Sequence, residues 1–170
     1  MAATADAAKL GDELIPGEEI GVSGWVTIDQ PLIDLFSRAT LDADPMHVDP
    51  VWAKEKGPFG HTVSFGFLTM SLLTHLMHDA ARSGFSVEPD VHGYYLNYGF
   101  DRMRLIAPVP VGSRVRGRFR TLSRILDEKQ RHIVKFGVEI EIEGHDRLAL
   151  AGEWLSVWVP PGGVTNTPRS

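Results

Sequence analysis

Ser64-Phe65-Gly66-Phe67-Leu68-Thr69-Met70-Ser71-Leu72-Leu73-Thr74-His75-Leu76-Met77-His78-Asp79-Ala80-Ala81 is the stretch that decides the fold. Apolar residues fall on nearly every side of a helical period: Phe67, Leu68, Met70, Leu72, Leu73, Leu76 and Met77. A helix that is apolar all round is buried, whereas a surface helix keeps a polar face. Gly66, Thr69, Ser71, Thr74 and His75 break the run, and it is too short to cross a bilayer. The spacing predicts one long central helix over 65–81, with Gly84 as its stop. Something else in the chain must wrap it.

The wrapper lies downstream, where the period changes to two. Val115, Gly117, Phe119 and Thr121 fall on one side of a strand over 112–122, and Arg114, Arg116, Arg118 and Arg120 on the other. Val134, Phe136, Val138, Ile140 and Ile142 alternate with Lys135, Gly137, Glu139, Glu141 and Glu143. A third long strand is expected over 148–159, and shorter ones over 94–98 and 102–105. Asp127-Glu128-Lys129-Gln130 reads as the tip of a hairpin. Folding about the Glu128–Lys129 bond sets Arg118 opposite Glu139, Arg116 opposite Glu141 and Arg114 opposite Glu143. The arginine stripe then reads as a paired, solvated sheet face in preference to a phosphate site, since each cross-strand pair contributes roughly 0.2–1 kcal/mol. The expected architecture is α+β, a helix wrapped by a curved antiparallel sheet. Such a sheet has edges to cover, and pairing of two copies through an edge strand would cover one.

Upstream, Gly21 to Ile28 reads as extended, and Asp29 with Pro31 opens an amphipathic helix to about Leu41. Pro45 and Pro50 are expected to force an irregular loop after it. Residues 1–12 and 161–170 read as flexible tails around one domain over 13–160. With 17 Lys and Arg against 22 Asp and Glu, the net charge of −5 argues against a nucleic-acid binder. The chain has no cysteine, which excludes a disulfide scaffold and a thiol nucleophile. No stretch reads as a signal peptide or a membrane span, so a cytoplasmic location is expected.

The residues with chemistry cluster between the two helices, in Leu41-Asp42-Ala43-Asp44-Pro45-Met46-His47-Val48-Asp49-Pro50. Three carboxylates and an imidazole share a segment stiffened by two prolines. Asp42 and His47 flank Pro45 at a spacing that allows both side chains to reach one point, as an acid–base pair requires. The same residues also fit a plain turn, in which Asp42 only caps. A metal site on Asp42, Asp44, His47 and Asp49 is the weaker alternative. A second candidate is Ser64-Phe65-Gly66 at the start of the central helix. Unpaired N–H groups there attract developing negative charge, and a glycine admits a carbonyl oxygen. Tight helix packing explains that glycine equally well.

At these residues the sequence resembles the MaoC-like dehydratases, the (R)-specific enoyl-CoA hydratases. The motif is Phe36-x-x-x-Thr40-x-Asp42-x-Asp44-Pro45-x-His47-x-Asp49-Pro50-x-x-Ala53. Gly57-Pro58-Phe59-Gly60, Val63 to Leu73, Asn97-Tyr98-Gly99 and Pro108 to Gly112 are similar to a subgroup that includes nodulation-protein-N-like members, as is Ser23 to Gln30. The resemblance implies a hotdog fold, pairing into a homodimer, and hydration of a trans-2-enoyl thioester of CoA or acyl carrier protein. It places the catalytic pair on Asp42 and His47 and the backbone oxyanion donor on Gly66, with Ser64, Phe65 and Asp44 lining the site. The resemblance implies water activation chiefly by Asp42 and protonation by His47, and the sequence leaves the reverse division open. No cofactor or metal is implied, because the thioester itself acidifies C2. Three positions depart from the family pattern: Leu41 stands in place of glycine, Asp44 in place of asparagine, and Phe65 in place of histidine. An acyl-thioesterase and a non-catalytic acyl-thioester-binding subunit are the rival readings.

Overall fold

A computed structural model describes residues 14–83, 88, 91, 93–128 and 131–161. The expected tails over 1–12 and 161–170 (Pro161 apart), the Gly84 stop, and Lys129-Gln130 of the Asp127 to Gln130 hairpin tip lie outside them. In chain order the elements are β1 (Glu19–Val22), β2 (Val26–Thr27), α1 (Gln30–Thr40), α2 (Pro45–Val48), α3 (Pro50–Glu55), α4 (Gly66–Ser71), α5 (Leu73–Ala80), β3 (Tyr94–Leu105), β4 (Arg114–Leu126), β5 (His132–Ile142) and β6 (Leu150–Val159). The strands form one antiparallel sheet in the order β1-β4-β5-β6-β3, and β2 also pairs with β4. Sheet and central helix together make the α+β hotdog fold.

The central helix is broken once and is not buried all round. Ser71 Oγ donates to Phe67 O at 2.7 Å, a back-bond of the kind that bends helices, and α4 gives way to α5 at Leu72. Backbone bonds cross the joint, Leu72 N–H to Leu68 O and Leu76 N–H to Leu72 O. Leu68, Leu73, Leu76, Met77 and Ala80 are buried against Val115, Phe119, Phe136, Val138 and Ile140 of the sheet. Phe67, Ser71, His75 and Asp79, each four residues apart, form an exposed stripe instead. Helix and sheet approach closely where α5 ends: a Cβ on Gly21 would lie 2.5 Å from the Ala80 carbonyl oxygen, which is backbone and cannot move aside.

The hairpin register agrees with the charge pattern. Arg116 pairs with Glu141 and Arg118 with Glu139 in the ladder, and Glu143 N–H donates to Arg114 O. A bulge between Thr121 and Ser123 then shifts the register by one toward the tip. Arg114 binds Glu143, and Arg116 binds Glu141 at 2.7 Å. Arg118 reaches Glu19 at 2.9 Å and Glu141 at 3.5 Å, because β1 lies beside β4 and brings its own carboxylate. The two short strands expected over 94–98 and 102–105 are one strand, β3, bulged in two places against β6.

Candidate active site

The segment between α1 and α4 is built from repeated caps. Asp29 Oδ1 accepts from Leu32 N–H and opens α1. Asp44 Oδ1 accepts from Met46 N–H at 2.9 Å, with Pro45 in the first turn of α2. Asp49 Oδ1 accepts from Val51 and Trp52 N–H, with Pro50 in the first turn of α3. The irregular loop expected here is therefore two short helices. Each proline that ends one element opens the next, because an aspartate before proline is an N-cap followed by a residue with helical φ and no N–H to satisfy.

His47 is half-buried in α2, and its ring is fixed twice. Nδ1 lies 2.7 Å from Val63 O. A carbonyl oxygen only accepts, so Nδ1 carries the proton and Nε2 keeps the lone pair in the neutral ring. The ring also stacks on buried Phe65, with centroids 3.9 Å apart, and Phe65 in turn meets Phe36 at 5.4 Å. The phenylalanine at position 65 thus orients the imidazole. Gly66, the next residue, starts α4. Its N-cap Phe65 has no side-chain oxygen and makes no side-chain capping bond to the first turn of α4. A Cβ on Gly66 would overlap Leu105 of β3, so only glycine fits there without movement.

Asp42 is exposed at the start of the segment. Its Oδ1 accepts from Asp44 N–H at 3.2 Å, and its carbonyl accepts from Ser37 Oγ at 2.6 Å. Leu41 explains one departure from the family pattern. It ends α1 with φ 61° and ψ 19°, the left-handed conformation that glycine adopts without strain. Asp44 is engaged as a cap. Ser64 is buried, its Oγ donating to Phe65 O at 3.1 Å and lying 3.4 Å from Thr69 Oγ1. Of the residues singled out in the sequence, the structure brings His47 against Phe65, and Gly66 follows Phe65 at the start of α4. Asp42 stands on the same short segment, and Ser64 and Asp44 serve it through local bonds.

The family model of the MaoC-like domain matches residues 12–141. The chain belongs to the MaoC-like domain family. This MaoC-like chain is 41% identical over 148 residues to nodulation protein N of Rhizobium leguminosarum bv. viciae, covering 83% of this chain and 84% of that one. It is 47% identical over 102 residues to 3-hydroxyacyl-thioester dehydratase Z of Mycobacterium tuberculosis H37Rv, covering 59% and 62%. Among solved structures, an (R)-hydratase from A. caviae involved in PHA biosynthesis superposes with a TM-score of 0.67 at 20% identity, over 86% of this chain and 98% of that one.

Two further features of the MaoC-like chain lie away from this place. A groove of about 610 Å³ crosses the outer sheet face, lined by Arg102, Arg104, Arg118 and Arg120 together with Glu139 and Glu153. It holds none of Asp42, His47 and Gly66. His78, near the end of α5, is held below its ordinary pKa by burial and then by the charge of His75. No helix among the described residues is long and apolar enough to cross a membrane. The Val63 carbonyl that holds His47 had no signature in the sequence, because any residue type supplies a carbonyl.

Proposed function

We propose that this chain hydrates trans-2-enoyl thioesters of CoA or acyl carrier protein to (R)-3-hydroxyacyl thioesters, and catalyses the reverse dehydration. The observation that carries the reading is the fixed tautomer of His47 beside the open N-terminus of α4. A neutral imidazole with its proton on Nδ1 offers Nε2 as a base. Nε2 takes a proton from water as the oxygen attacks C3, and the imidazolium so formed returns that proton to C2. The water is divided completely, hydroxyl at C3 and hydrogen at C2. Asp42 accepts a hydrogen bond from the water's other O–H, which stays intact, and orients the attacking oxygen. This gives His47 both proton steps, where the family resemblance implied water activation chiefly by Asp42. The Gly66 N–H stabilises the thioester oxygen as negative charge develops on it. The family and its 3-hydroxyacyl-thioester dehydratase relative support the substrate class.

The site is proposed to work in a homodimer, because β3 leaves the sheet with an exposed edge carrying Leu96, Tyr98 and Phe100. Crotonyl-CoA hydration, followed as loss of enoyl absorbance, tests the reaction. Wild type should turn over, and Asp42→Asn and His47→Ala should each lose about 10²–10⁴-fold, the usual contribution of general acid–base catalysis. Equal rates in wild type and variants would remove the acid–base pair. Release of free CoA thiol would show a thioesterase. Tight acyl-CoA binding with neither activity would show a binding subunit.

A further inference from the structure

Two carbonyls of the catalytic segment are held from one helix. Ser37 Oγ donates to Asp42 O at 2.6 Å, and Gln30 Nε2 donates to His47 O at 2.9 Å. Gln30 and Ser37 are seven residues apart on α1, two turns of helix, so they share a face about 10 Å apart along the axis. The Gln30 amide is itself fixed on both sides. Thr62 Oγ1 donates to Gln30 Oε1 at 2.6 Å, and Gln30 Nε2 also donates to Asp34 Oδ1 at 2.8 Å. Thr62 is buried at 1% exposure and Ser37 at 8%. Thr62 directly precedes Val63, whose carbonyl holds the His47 ring. Two consecutive residues therefore hold His47, one through its ring and one through Gln30 and its backbone.

We infer that Gln30, Ser37 and Thr62 are positioning residues, and that α1 acts as a rigid gauge fixing the separation of Asp42 and His47. None of them touches a reacting atom. Their effect passes through the Asp42 and His47 carbonyls, and their catalytic consequence rests on the hydration reading above. A hydrogen bond that only stabilised the fold would change the melting temperature. One that positions the pair changes turnover, because misplacement by about 1 Å costs up to about 100-fold in rate.

The experiment compares Thr62→Val and Gln30→Met, which remove the bonds at similar volume, with Thr62→Ser, which keeps the hydroxyl. Crotonyl-CoA kinetics should show kcat lowered about 10- to 100-fold in the first two at a KM within about two-fold of wild type, as expected when binding is intact and orientation is lost. Thr62→Ser should restore most of the turnover. In parallel, ¹⁵N-correlated NMR of the ring nitrogens reads the His47 tautomer in the free protein. Wild type should be the Nδ1–H form, and Thr62→Val and Gln30→Met mixtures of both forms. Folded variants that keep wild-type kcat and a pure Nδ1–H ring overturn the inference. If Thr62→Val does not fold, Gln30→Met decides it by the same two readouts, and Ser37→Ala, which frees the Asp42 carbonyl, by the loss of kcat at unchanged KM. If wild type hydrates no enoyl thioester, the functional reading fails while the tautomer comparison still decides the positioning role.

Discussion

Leu41 carries the clearest strain at the scale of single residues. It is 90% exposed and holds φ at 61°, so it gains almost nothing from burial and pays for a left-handed backbone. That conformation costs an L-residue roughly 1–2 kcal/mol. Glycine would relieve it but adds roughly 0.4–1 kcal/mol of chain entropy to the unfolded state. The difference favours glycine, so Leu41→Gly should raise stability by about 0.5–1 kcal/mol, read as a higher urea midpoint at unchanged m-value. A lower midpoint would mean that the Leu41 side chain has contacts that outweigh the strain. That Asp42 and His47 are candidates for an acid–base pair was legible from residue type and spacing on a proline-stiffened segment, which Asp44 and Asp49 share. What orients His47 was not. The Val63 carbonyl and the Phe65 ring lie 16 and 18 positions away in sequence, and only the tertiary fold brings them to the imidazole.

Among the elements, the short helices of the segment depend on caps more than on packing. α3 has six residues and one fully buried side chain, Ala53, so its N-terminus contributes much of its stability. Asp49→Ala removes two bonds to Val51 and Trp52 N–H and should cost about 1 kcal/mol, within the 0.5–2 kcal/mol range of N-cap losses. Asp49→Asn keeps an acceptor and should lose less. Thermal unfolding of the two variants against wild type checks the order, and equal losses would assign the effect to charge. The strands were the most legible elements because alternation sets which face is buried and so fixes the register, with the facing charges helping it. The bulge at Leu122 was not legible, because it inserts one residue without altering the apolar pattern enough to show. The segment helices were missed for a different reason. Proline reads as a breaker from its left side, and the same ring is a good first residue of the helix on its right.

For the whole molecule, the open question is what the sheet does at its ends. β1 and β2 share one side of β4, so that end is split and short. The other end is β3, twelve residues long and, among the described residues, paired on one side only, with β6. Leu96 and Phe100 are each close to half exposed on it, and Tyr98 is more so. A long edge with apolar side chains and unpaired backbone groups is a template for another strand, and a chain that keeps such an edge soluble normally covers it. Two copies joined β3 to β3 would satisfy both edges at once under a two-fold axis, with no open end left for further growth on that side. Sedimentation equilibrium should therefore give twice the chain mass for wild type. Leu96→Lys and Tyr98→Lys together place four like charges across such a seam and should shift the protein to monomer, more strongly at low salt because the repulsion is screened as salt rises. The far-ultraviolet dichroism of the double variant should stay that of wild type, since neither side chain is part of the core. A wild type that sediments as monomer, or a double variant that remains dimeric, would place the contact on another surface of the molecule.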